Sequence, residues 1–142
     1  MSLAGIRSSR IGSALLLVSL GAVLSVAWAG PAGAGPASIT LTGPTGSQLF
    51  GDTVVVLANG NFVVTDPGFD SATAADVGAV YLYDGTTNAV ISTLTGSSVG
   101  DSVGNGGVTL LKNGNFVVGS YSWSNGATSR VGAVTWANGA TG

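Results

Sequence analysis

The sequence predicts an all-β protein in which one four-stranded antiparallel unit is used about twice. Three observations predict it. The hexapeptide NGNFVV occurs at Asn59–Val64 and again at Asn113–Val118. The apolar runs are short, rich in Val, Thr, Tyr and Phe, and punctuated by Asn-Gly and Asp-Gly, the alternation of strand formers with turn formers that marks hairpins. Finally, nothing between Ser38 and Gly142 carries a helical apolar period or helix caps.

The repeat is longer than its hexapeptide. Val54–Asn88 laid on Val108–Gly142 without a gap is identical at 14 of 35 positions. The identities cluster: NGNFVV on NGNFVV, VGAV (Val77–Val80) on VGAV (Val131–Val134), and Gly85 on Gly139. Upstream, LTG at Leu41–Gly43 answers LTG at Leu94–Gly96. A fixed period near 50 residues signals one supersecondary unit per repeat. Repeat 1 is set at about 43–96 and repeat 2 at about 97–142.

Each element follows from local chemistry. Val54–Leu57 and Phe62–Thr65 flank Ala58-Asn59-Gly60-Asn61 and form a hairpin, with Asn and Gly taking the positive φ of a tight primed turn. Ala79–Tyr83 and Ala89–Leu94 flank a second turn that opens with Asp84-Gly85. The strands are apolar on both faces, as in a sheet covered on both sides. Ser38–Thr42 (SITLT) matches a fourth strand placed before the first unit, and the second unit stops after its third strand. Four antiparallel strands per repeat, apolar on both faces and stacked on like neighbours, describe a propeller-type blade. The fold expected is therefore about two blade-equivalents, a partial propeller or oligomer-forming fragment, since closure takes about four to eight blades.

The stretch LFGDTVVVLANGNFVVTDPGFDSATAADVGAVYLYDG resembles the FG-GAP repeats of integrin-α-type β-propellers: Phe50-Gly51 at the start, a hairpin, Pro67 after the second strand, then Gly78-Ala79-Val80-Tyr81. It is similar, closer still, to the glycine-rich variants in bacterial surface and secreted repeat proteins. The resemblance runs from about Leu41 to Gly142. It implies calcium binding by an aspartate-rich loop in the first hairpin. Here those loops are Ala58–Asn61 and Lys112–Asn115, neither with a carboxylate. Calcium takes six to eight hard oxygens, several charged, so the calcium site is not carried over and no cofactor is expected.

The N-terminal residues read as an address. Arg7 and Arg10 precede the apolar Leu15–Val26, and Ala27-Trp28-Ala29 supplies an A-x-A cleavage signature. That order predicts a signal peptide over 1–29, a Pro/Gly/Ala linker over 30–37, and a repeat region over 38–142. The rival reading of Ile11–Trp28 is an uncleaved membrane anchor. With the peptide removed, no membrane association is expected and the protein is secreted or at the cell surface. Lys112 and Arg130 then face six aspartates, a net charge of −4, which disfavours a nucleic-acid partner. With no cysteine there is neither a disulfide framework nor a thiolate metal site.

Candidate functional residues are few. Histidine, cysteine and glutamate are all absent, which removes histidine bases, cysteine nucleophiles and zinc sites of the common kinds. Asp66, Asp70 and Asp76 gather in and beside the long loop of the first repeat and are read chiefly as a solvated loop. A weak cation site, or a carboxylate pair for glycoside hydrolysis, stays open there. Their repeat equivalents are Ser120, Ser124 and Arg130. Tyr121 and Trp123 either stack on sugar rings or pack over the blade edge. Asp84, aligned with Asn138, reads as an Asx turn former. Asp52 and Asp101 read as turn residues, and Gly104–Gly107 as a flexible connection. The expectation is a non-catalytic extracellular repeat module, structural or adhesive. A carbohydrate-binding module using the loop aromatics is the alternative. The partner is an extracellular protein, a glycan, or another copy meeting open blade edges.

Overall fold

The structure is a computed structural model and describes residues 38–142; the expected signal peptide and linker lie outside the described residues. Turn chemistry organises everything that follows. In the first NGN turn Gly60 N–H donates to Leu57 O (3.0 Å), Leu57 N–H donates to Asn61 O (2.8 Å), and Asn61 N–H donates to Asn59 Oδ1 (3.1 Å). The second copy repeats this closure with Gly114, Leu111, Asn115 and Asn113. Only the glycines carry positive φ, 90° at Gly60 and 83° at Gly114. The loop is thus a three-residue type I turn with a left-handed glycine bulge, not the primed two-residue turn expected from Asn-Gly.

These turns join β1 (Val54–Val56) to β2 (Phe62–Asp66) and β5 (Val108–Leu110) to β6 (Phe116–Ser120). β3 (Ala79–Tyr83) and β4 (Val90–Thr95) complete a four-stranded antiparallel sheet of order β1-β2-β3-β4, and β7 (Ala133–Ala137) completes a three-stranded sheet of order β5-β6-β7. Registers repeat with the sequence. Val54 opposes Val64 as Val108 opposes Val118, and Val80 opposes Thr65 as Val134 opposes Gly119. The architecture is all-β, with no helix and no closed barrel among the described residues.

Side chains alternate across each strand, so each sheet has two faces. On one face of the first sheet Val63, Val80 and Leu82 bury against Phe116 and Val118 of the second, with Leu57 and Val103 in the same core and Leu94, Val108, Trp123 and Ala137 packed around it. On the opposite face of the first sheet Val64, Ala79, Tyr81 and Tyr83 make a second core, to which Leu41, Phe50, Phe62 and Phe69 add partly buried surface. Phe62 and Tyr83 stack at 5.1 Å, and Tyr81 touches Phe50, Phe69 and Tyr83. The second sheet is covered on one face only: Val134 is 76% and Trp136 56% exposed.

Two expectations are corrected here. Ser38–Thr42 forms no strand; no neighbouring strand offers it a ladder, and a strand is defined by its partner. Leu41 packs instead at the margin of the aromatic core. Gly104–Gly107 is a buttress and not a slack connection. Gly104 is buried with φ 89°, its N–H donates to Ser120 Oγ (3.1 Å), and a Cβ there would meet Val80 at 2.8 Å. Gly106 N–H donates to Gly119 O and Gly119 N–H to Gly107 O, each at 3.0 Å.

Candidate functional site

The polar residues singled out in the sequence hold the long loops, and the same positions do so in both repeats. Asp66 ends β2 fully buried, correcting its reading as solvated. Its Oδ1 accepts Leu49 N–H (2.8 Å), tying the incoming chain to the sheet. Its equivalent Ser120 does the same for Gly104 N–H. Asp70 Oδ1 accepts Asp76 N–H (2.7 Å) and its Oδ2 accepts Gln48 Nε2–H (2.8 Å). In the second repeat Ser124 Oγ accepts Arg130 N–H (3.4 Å). Asp76 and Arg130 are both left-handed, at φ 52° and 55°, so the position is set by backbone geometry and tolerates opposite charges. The loop closures Gly78 N–H to Phe69 O and Gly132 N–H to Trp123 O also correspond.

Asp101 was legible as a turn residue but not as a buried one. Its Oδ2 accepts Ser97 and Ser98 N–H (3.0 and 2.9 Å), and its Oδ1 accepts Ser124 N–H (3.0 Å). Burial alone would raise its pKa, yet those backbone donors stabilise the carboxylate more and hold it below the ordinary range. Asp84 is the Asx residue expected. Its Oδ1 accepts Thr86 and Thr87 N–H (2.8 and 2.7 Å), chiefly the latter lowering its pKa, and Asn138 caps Ala140 and Thr141 likewise.

The second turn of each unit touches the first. A Cβ on Gly85 would strike Gly60 O and a Cβ on Gly139 would strike Gly114 O, which explains why glycine recurs there. Asn61 Oδ1 accepts Gly85 N–H (3.3 Å) and Asn115 Oδ1 accepts Gly139 N–H (3.1 Å). Across the sheets, Asn59 Nδ2 and Asn61 Nδ2 both donate to Gly139 O, at 2.9 and 3.0 Å. The NGN motif is thus a turn and a two-pronged amide clasp on the next repeat, a role that composition alone gave no means of finding.

The aromatic pair separates. Trp123 packs at the edge of the inter-sheet core, whereas Tyr121 is 68% exposed beside an open hollow of about 430 Å³ that Val131, Gly132 and Val134 also line. A second cavity, about 180 Å³, opens between β3–β4 and β6–β7, with Leu82, Leu94, Phe116 and Ala137 among its apolar walls. Three buried side-chain oxygens have no partner: Ser47 Oγ, Asp66 Oδ2 and Tyr81 Oη. Burial, and then the Asp66 charge, push the Tyr81 phenol up to about 12; Ser47 lies beside it without reaching hydrogen-bond geometry. Asp66, Asp70 and Asp76 do not converge: among the described residues no three acidic side chains are grouped to hold a metal ion. Nor, among those residues, is any helix long and apolar enough to cross a membrane.

No curated protein and no solved structure matches the chain. A family described as a repeat of unknown function (DUF5650) matches residues 56–105 and 110–142, more than half of the sequence. The second match begins 54 residues after the first, the offset at which the chain aligns with itself and at which its strands, turns and loop contacts recur. The chain belongs to the DUF5650 repeat family.

Proposed function

We propose that the chain is a non-catalytic repeat module that works outside the cell, where its sheets give a structural or adhesive surface on a propeller of FG-GAP-like, integrin-α type. The observation that carries this reading is the use made of the loop side chains. Asp66, Asp70, Asp84 and Asp101 each accept backbone N–H groups of this chain, and their counterparts Ser120, Ser124 and Asn138 do likewise. Such groups build loops and leave no carboxylate pair poised for chemistry. The secretory order of residues 1–29 supports an exported, bacterial-type surface protein without a resident cofactor.

The test is export followed by binding. Expressed with its own N-terminus in a bacterial host, the chain is expected outside the cytoplasm, with an intact mass beginning at Gly30, or at Gly35 if the second cleavage site is used. Cytoplasmic retention of an unprocessed chain contradicts the location. The exported material on a glycan array is expected to be silent; binding abolished by Tyr121→Ala would replace the scaffold reading with the carbohydrate-binding one, for which the exposure of Tyr121 is the supporting observation.

A further inference from the structure

We propose that the uncovered face of the second sheet is a docking surface for a second copy of this chain, which seats on it the outer face of its own first sheet, head to tail. The inter-sheet contact inside one chain is the template. Val63, Val80 and Leu82 bury against the second sheet; their repeat equivalents are Val117, Val134 and Trp136, of which Val134 and Trp136 stand in solvent. The receiving side of that contact is built from Val108, Phe116, Val118 and Ala137. Its equivalents on the first sheet are Val54, Phe62, Val64 and Tyr83. That face keeps an exposed margin at Val54, Val56 and Val90.

Polar groups match in the same register. Asn59 and Asn61 clasp Gly139 O within the chain, while the Nδ2 groups of Asn113 and Asn115 donate to no described residue, and Gly85 O accepts from none. In the head-to-tail arrangement Asn113 and Asn115 meet Gly85 O of the partner. Charge selects for this pairing too. Where the internal contact places Ala58 beside the clasp and Asn138 beside the clasped glycine, the contact between copies places Lys112 and Asp84 there. Lys112 is one of two basic residues among those described, and Asp84 is held ionised by its turn. Opposite charges appear only where two copies would meet, and they favour that encounter over others. The contact is heterologous, so each copy keeps one surface of each kind.

Sedimentation velocity on the full chain, over about 1–100 μM, tests this. The wild type is expected to form species larger than one chain that grow with concentration. Val134→Lys and Val54→Lys each place a charge on one exposed docking position, and each is expected to weaken self-association about 100-fold while the melting temperature of the monomer is kept. Mixed in equal amounts, the two variants are expected to associate and stop at two chains, since each retains the surface the other has lost. Lys112→Glu is expected to weaken wild-type assembly about tenfold. A wild type that stays monomeric, an assembly that Val134→Lys leaves unchanged, or a mixture that stays monomeric overturns the proposal.

Discussion

Val80 and Val134 hold the same place in two sheets, opposite the equivalent residues Thr65 and Gly119, yet Val80 is 3% exposed and Val134 76%. Leu82 and Trp136 differ in the same way, 1% against 56%. Backbone register is therefore a property of the repeat, while burial is a property of what lies next to it. The opposite faces differ in another respect. Where the first sheet meets no other sheet it carries Tyr81 and Tyr83, which stack with phenylalanines; where the second sheet must approach the first it carries Thr135 and Ala137. Small side chains permit sheet-to-sheet contact, and large aromatic ones roof a face with side chains and loop alone.

The sharpest way to break this comparison is to truncate its two members. Leu82→Ala should destabilise by about 3 kcal/mol, as a buried leucine does when it leaves a cavity. Trp136→Ala, measured by denaturant titration of the dilute monomer, should change stability by no more than about 0.5 kcal/mol. Similar costs at the two sites would mean that the second sheet's outer face is covered in the folded monomer.

A smaller difference is expected at the clasp. Asn61→Ala removes the acceptor for Gly85 N–H and the donor to Gly139 O; Asn115→Ala removes only the acceptor for Gly139 N–H. The first should therefore cost about 1 kcal/mol more than the second. Equal losses would show that the bond between sheets contributes nothing to folding.

The smallest effect separates the aromatic face from its threonine counterpart by pH. The Tyr81 phenol is raised from an ordinary 10 to about 12, so below pH 10 it is neutral whether folded or unfolded and stability is unaffected. Between pH 10 and 12 the unfolded chain gives up the proton first, and stability falls until the folded pKa is passed. Tyr81→Phe should flatten that fall, leaving the share of Tyr83, which burial raises too. Melting curves across this range check it, and an unchanged slope would remove Tyr81 as the titrating group.

Strand positions, repeat offset and hairpins were legible in the sequence because they depend on local turn chemistry and on identities that align. The Asx role of Asp84 was legible for the same reason. What was not legible required a neighbour. NGNFVV is written twice, but Val63 is buried by the other sheet while Val117 is not. Asp66 read as a loop carboxylate, and its burial depends on Leu49, 17 residues upstream. SITLT has strand composition and no ladder to join. The GNGG segment looked slack because glycine is permissive; here the permissiveness lets the backbone wedge between two sheets.

The Asn-Gly turns also set a chemical clock. An asparagine followed by glycine ages when the glycine nitrogen attacks the side-chain carbonyl and ammonia leaves, and hydrolysis then yields a carboxylate. At Asn59 the Nδ2 group is held on Gly139 O and Oδ1 on Asn61 N–H, which restrains the rotation that attack requires. At Asn113 only the oxygen is held. The second turn is thus the one that ages first, and each conversion sets a negative oxygen where a donor stood. A carboxylate cannot clasp a carbonyl, so old molecules would lose their grip on a neighbour before they lose their fold.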